Sequence, residues 1–82
     1  MRITVSSLRL DGLLAAAFHL SRGQSLEVIR SGLVFIDGEA VKKPDFEPKP
    51  GCKITLRGTG RFWLREVQGR TKKDRIAVVI ET

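Results

Sequence analysis

Between Ser21 and Val41 the chain reads S-R-G-Q-S-L-E-V-I-R-S-G-L-V-F-I-D-G-E-A-V, and this run leaves the backbone few choices. Ser21 and Gln24 have the spacing of a capping box, in which each side chain bonds the other's backbone N–H at a helix start. Leu26 and Ile29 supply that helix with a buried face. Ser31-Gly32 stops it, because glycine takes the left-handed position after a helix without steric cost. Leu33 to Ile36 then reads as a strand, Asp37-Gly38 is the strongest short hairpin signal, and Glu39 to Val41 returns antiparallel. The cations Arg22 and Arg30 stand at the two ends of the helix.

The flanking segments extend this unit. Met1 to Val5 is short and β-branched, and reads as a strand or a leader. Ser6 or Ser7 is positioned to cap a first helix, whose stripe is Leu10, Leu13, Leu14, Ala17 and Phe18. Arg9, Gly12, Ala16 and His19 lie on another face of that helix, where small residues let a second backbone approach. Lys42 to Gly51 holds all three prolines and reads as an extended loop. Lys53 to Arg57 alternates, Gly58-Thr59-Gly60 breaks it, and Phe62 and Leu64 alternate again to about Val67. Gln68 to Arg75 is a polar, basic turn, and Ile76, Val78 and Ile80 mark a last strand of period two. The expectation is an α+β fold in which two N-terminal helices pack on a small antiparallel sheet of four to five strands.

Charge narrows the partners. Fifteen Lys and Arg stand against nine Asp and Glu in 82 residues, a formal net charge of +6. That balance favours nucleic acid or an anionic surface. A membrane surface fits poorly, since the most apolar helix carries almost no Lys or Arg and no apolar run nears the roughly 20 residues that span a bilayer. The single cysteine, Cys52, precludes an internal disulfide and is compatible with a reducing compartment.

Chemistry finds little footing. One histidine, His19, and one cysteine fall short of the about four ligands a zinc site wants. His19 reads as a helix-end residue and Cys52 as strand packing. Asp37 and Glu39 flank a turn glycine, which is turn chemistry rather than an acid–base pair. No catalytic residue, metal or cofactor is expected. A phosphate chain is better served. Arg22 and Ser21 sit at a helix N-terminus, where free N–H groups and the dipole favour an anion, and arginine adds a planar fork. Ser25 is one turn on, Arg30 and the pair Lys42-Lys43 extend the track, and Arg9 joins it from the first helix. Phe18, Phe46 and Phe62 are expected in the core. Trp63 falls on the other face from Phe62, beside Arg65, where it stacks an unpaired base, covers the sheet or meets another domain. The run Arg70 to Arg75 is either a solvated turn or a further phosphate contact.

Arg9-Leu10-Asp11, Ser21-Arg22, Ile29-Arg30-Ser31-Gly32, Val34, Asp37-Gly38, Val41, Pro44 and Pro50-Gly51, taken as an ordered set, resemble the RNA-binding domain of the ribosomal protein S4 type. Its αL motif is this two-helix and hairpin unit, and the match covers roughly residues 7–57. The resemblance implies binding of structured, often ribosomal RNA through Arg9, Ser21, Arg22, Ser25, Arg30, Lys42 and Lys43. Leu33 departs from it, standing where many relatives carry a cation. The tail, Arg57-Gly58-Thr59-Gly60-Arg61-Phe62 and Gly69-Arg70-Thr71-Lys72-Lys73, is similar to the C-terminal end of the YlmH-like family, bacterial and plastid proteins associated with the large ribosomal subunit in rescue of stalled nascent chains. That likeness implies one RNA-binding domain over 1–82, with the αL motif at about 7–57 and a β extension at 58–82, ending a longer protein. It also implies ribosomal RNA, tRNA and the ribosome as partners of a monomer in the cytoplasm or plastid stroma. The rival readings are an accessory domain of an RNA-modifying enzyme, such as a pseudouridine synthase, and a protein-interaction module using Trp63, Phe35 and the sheet face.

Overall fold

A computed structural model describes residues 1–82. The elements run β1 (Arg2–Val5), α1 (Leu10–Phe18), α2 (Arg22–Arg30), β2 (Val34–Ile36), β3 (Glu39–Ala40), β4 (Lys53–Leu56), β5 (Gly60–Arg70) and β6 (Ile76–Glu81). All strands join one antiparallel sheet in the order β1-β6-β5-β4-β2-β3. The α+β architecture is as expected from the sequence. The sheet has six strands, because Met1 to Val5 supplies an edge strand on β6 and the short β3 supplies the other edge.

The helices lie on one face of this sheet. Leu10, Leu13 and Leu14 of α1 and Ile29 of α2 are fully buried against Val34, Ile54, Phe62, Leu64, Val78 and Ile80. Burying each such side chain stabilises the fold by about 1.5–3 kcal/mol before the cost of ordering the chain. Phe18 meets Phe62 edge to face at 5.5 Å between ring centroids, a favoured aromatic geometry. Phe46 departs from expectation: it is 39% exposed, on the proline-bearing loop, where it borders an open pocket with Ile36, Val41 and Cys52 while its carbonyl accepts from α1.

That loop explains a second departure. Neither Ser6 nor Ser7 caps α1. The residue before the helix is Arg9, which has no side-chain cap. The Leu10 N–H instead donates to the Phe46 carbonyl at 2.8 Å and the Asp11 N–H to the Pro44 carbonyl at 3.1 Å. A loop distant in sequence thus satisfies donors that a local hydroxyl was expected to take. At α2 the sequence reads directly into structure. The Gln24 N–H donates to Ser21 Oγ at 3.1 Å, and the Ser21 N–H to Gln24 Oε1 at 2.9 Å. At its far end the Gly32 and Leu33 N–H groups donate to the Ile29 and Val28 carbonyls, a Schellman closure with Gly32 at φ 78°.

Asp37 and Gly38 both have positive φ, 51° and 89°, as a two-residue type I′ hairpin requires. The Asp37 carboxylate accepts from the Lys53 N–H at 2.9 Å and so ties the turn to β4. β5 runs on to Arg70 rather than stopping near Val67, since two register shifts let its last residues keep pairing with β6. The basic turn shortens to residues 71–75.

Candidate nucleic-acid interface

Three arginines predicted on two helices meet in one place. Arg9, at the start of α1, and Arg22 and Arg30, on α2, line an open cleft of 430 Å³, with Leu26 on its helical wall and Pro44 and Asp45 on its loop wall. The helical spacing is the cause: Arg22, Leu26 and Arg30 are four residues apart and share one face of α2. Asp11 also reaches the cleft.

Arg9 is held there rather than free. Its Nε and one terminal nitrogen donate to the two oxygens of Asp11, each at 3.2 Å. Asp11 is itself 2% exposed and accepts from the Gly12 N–H at 2.9 Å. Such a fork fixes the guanidinium plane and offsets much of its charge, so Arg9 contributes position more than field. Arg22 and Arg30 are exposed and make no ion pair, which leaves their charge to a ligand. The capping box uses the acceptor of Ser21 Oγ and leaves its O–H proton available. The Arg22 and Gly23 N–H groups at the same helix end have no intrahelical partner.

Arg22 also borders a second pocket, of 320 Å³, floored by Gly12, Ala15 and Ala16 of α1 and walled on its far side by Arg75. The small residues of α1 therefore do leave room, though what stands nearest Gly12 is the chain's own Ser7 carbonyl. Arg75 is tied to β1 through Thr4, with bonds of 3.3 Å to its Oγ1 and 2.9 Å to its carbonyl. This places one cation of the basic turn beside the helical rim. Of its neighbours, Arg70 is paired with Asp74 at 3.1 Å, while Lys72 and Lys73 are exposed without a carboxylate partner.

The remaining candidates divide. Lys42 lies along the end of α2, its Cε 3.3 Å from where a Cβ on Gly32 would stand, and so favours the negative end of that helix as well as extending the track past Arg30. Lys43 is exposed next to Pro44 on the loop wall. Ser25 does not belong to the set. It is fully buried and its Oγ has no partner, because it shares the inward face of α2 with Ile29, one turn on. Leu26, expected beside Ile29 in the core, is half-buried and faces the cleft instead. Arg75 is the residue that sequence reasoning left undecided. Its place depends on β1 pairing with β6, which no local pattern announces.

No helix is long and apolar enough to cross a membrane, and no group of His, Cys, Asp and Glu is arranged to hold a metal ion.

The sequence profile of the S4 domain matches residues 8–54, more than half of the chain. The chain is 38% identical over 78 residues to the ribosome-associated protein quality control protein P2 of Bacillus subtilis (strain 168), covering 95% of this chain and 30% of that protein. It is 35% identical over 51 residues to an "uncharacterized RNA pseudouridine synthase" of Aquifex aeolicus (strain VF5), covering 62% of this chain and 21% of that one. Thus it spans less than a third of the length of either relative. Among solved structures, a pseudouridylate synthase superposes with a TM-score of 0.60 at 32% identity, over 72% of this chain and 24% of the other. The 30S ribosomal protein S4e of Thermoplasma acidophilum superposes with a TM-score of 0.57 over 99% of this chain and 38% of its own, at 17% identity, a likeness of fold.

Proposed function

The chain belongs to the S4 domain family of RNA-binding modules, and from that premise we propose that it binds structured ribosomal RNA of the large subunit, in translation or ribosome-associated quality control, and performs no chemistry of its own. The observation that carries this reading is the convergence of Arg9, Arg22 and Arg30 on one cleft, with Arg22 shared between that cleft and the one bordered by Arg75. Base-paired RNA hides its base edges in a deep groove, so a rim of this kind reads phosphates, hydroxyls and the shape of junctions. Arg22 and Arg30 grip phosphate oxygens, the Ser21 hydroxyl and helix N-terminus take a third oxygen, and Lys42 and Lys43 follow the strand past the end of α2. Asp45 bounds this path on the loop side, because a phosphate near it is repelled, while Asp11, which borders both pockets, is buried and taken up by Arg9.

The ribosomal assignment draws on the relative from Bacillus subtilis, which aligns across 95% of the chain and so includes the β5–β6 tail. The pseudouridine synthase aligns over 51 residues, 62% of the chain. The reading as a targeting domain of an RNA-modifying enzyme is accordingly the weaker one. A cytoplasmic, monomeric protein with rRNA as partner, and tRNA as a second, completes the proposal.

The test is the salt dependence of binding to a ribosomal RNA fragment. With about five phosphates neutralised, raising salt from roughly 50 to 200 mM weakens binding by about two to three orders of magnitude. Arg22→Ala should lower the log–log salt slope by about one and weaken binding about tenfold or more, with an unchanged melting temperature, since the side chain is exposed. A flat salt response, or a slope that Arg22→Ala does not alter, would contradict the proposal.

A further inference from the structure

The sheet face turned away from the helices carries a basic, aromatic cluster that the cleft leaves unused. Phe62 and Leu64 of β5 point into the core, so Arg61, Trp63 and Arg65 point outward. Strand register sets Trp63 between Lys53 of β4 and Glu81 of β6. The Arg61 guanidinium lies 5.5 Å from the Trp63 ring centroid, and that of Arg65 lies 5.7 Å away.

The two arginines differ in what holds them. Arg65 donates through Nε and a terminal nitrogen to both oxygens of Glu81, each at 3.1 Å. The Glu81 carboxyl is held below its ordinary range by that hydrogen bond first and the Arg65 charge second. Arg61 has no ion pair and rests on the ring by a cation–π contact at an exposed position, the weaker of the two attachments. One flank of Trp63 is therefore fixed and the other is readily vacated. Arg2, Lys53, Arg61 and Arg65 give this face four cations against Glu66 and Glu81, a balance that favours a polyanion over a protein surface.

We propose that this outer face is a second RNA contact that takes one unpaired nucleotide. Its base displaces the Arg61 guanidinium from Trp63, Arg61 turns to the adjoining phosphate, and Arg65 stays pinned by Glu81. Stacking on a flat indole and pairing of arginine with phosphate are the two ingredients of single-strand binding. The inference rests on the reading of the chain as an RNA binder, but not on the cleft. RNA seated between α1 and α2 lies on the other side of the core, so this contact needs a separate single-stranded segment.

Trp63 is the sole tryptophan and the chain has no tyrosine, so intrinsic fluorescence reports on this ring alone. Titrating the whole chain at low salt with hexauridylate should give saturable quenching. The double variant Arg22→Ala/Arg30→Ala should lose affinity for a structured ribosomal RNA fragment yet keep that quenching. By anisotropy of a labelled hexauridylate, Trp63→Leu and Arg61→Glu should each weaken binding about tenfold or more and leave binding of the structured fragment near wild type. Absence of quenching overturns the proposal. So does quenching abolished by the double variant, and so does a Trp63→Leu loss confined to nuclease-resistant protein association. Failure of the structured fragment to bind the wild-type chain, with hexauridylate quenching intact, would instead remove the cleft and leave the outer face standing.

Discussion

Ser25 shows what one residue's rotation about a helix decides. Its hydroxyl is fully buried and unpartnered, a state that costs free energy relative to an apolar group of similar size. Ser25→Ala should therefore stabilise the chain, by up to about 1 kcal/mol, visible as a higher denaturation midpoint, and leave RNA affinity unchanged. A variant that lost RNA affinity at unchanged stability would return Ser25 to the interface. The sequence misleads here because Ser21, Arg22 and Ser25 look like consecutive rungs of one polar ladder. Two faces are in fact interleaved: Arg22, Leu26 and Arg30 look toward the cleft, and Ser25 and Ile29 look toward the core. Choosing Ile29 rather than Leu26 as the anchor of the buried face would have separated them. Arg9 carries the same lesson for charge, since its partner Asp11 is only two residues away in sequence but its burial is not legible there.

Elements closed by their own residues were readable in advance. The Ser21–Gln24 box, the Gly32 stop and the Asp37-Gly38 turn are local devices, and each appears where its residues stand. Elements closed by distant chain were not. The start of α1 is completed by carbonyls of residues 44 and 46, and the last residues of β5 pair with β6 through register shifts. The Arg65–Glu81 pair linking those two strands gives a check at this scale. Because the folded Glu81 carboxyl is held below its ordinary value of 4.5, its contribution to stability is present above that value and is lost as pH falls through the lower, folded one. Following the Glu81 carboxyl by NMR should give a midpoint below 4.5 in the wild type, returning toward 4.5 in Arg65→Gln. An unshifted wild-type midpoint would mean that Arg65 is not fixed, and the asymmetry around Trp63 would go with it.

For the whole molecule, the sheet order is what turns a basic chain into a chain with faces. β1 pairs with β6, and this brings Arg75 to Thr4 and to the pocket that Arg22 borders, across 71 positions of sequence. Net charge announced a polyanion but said nothing about sides. The fold sets Arg9, Arg22, Arg30 and Arg75 around the two helices and leaves Arg61, Trp63 and Arg65 on the opposite face of the sheet. The helical rim is the central claim, and it is tested most directly by backbone amide shifts of the labelled chain titrated with a structured ribosomal RNA fragment at low salt. Shifts concentrated at residues 9–12, 21–23, 30–32, 42, 43, 45 and 75 are the expected result. Shifts that spare the first turn of α2, or no shifts at all, would contradict it.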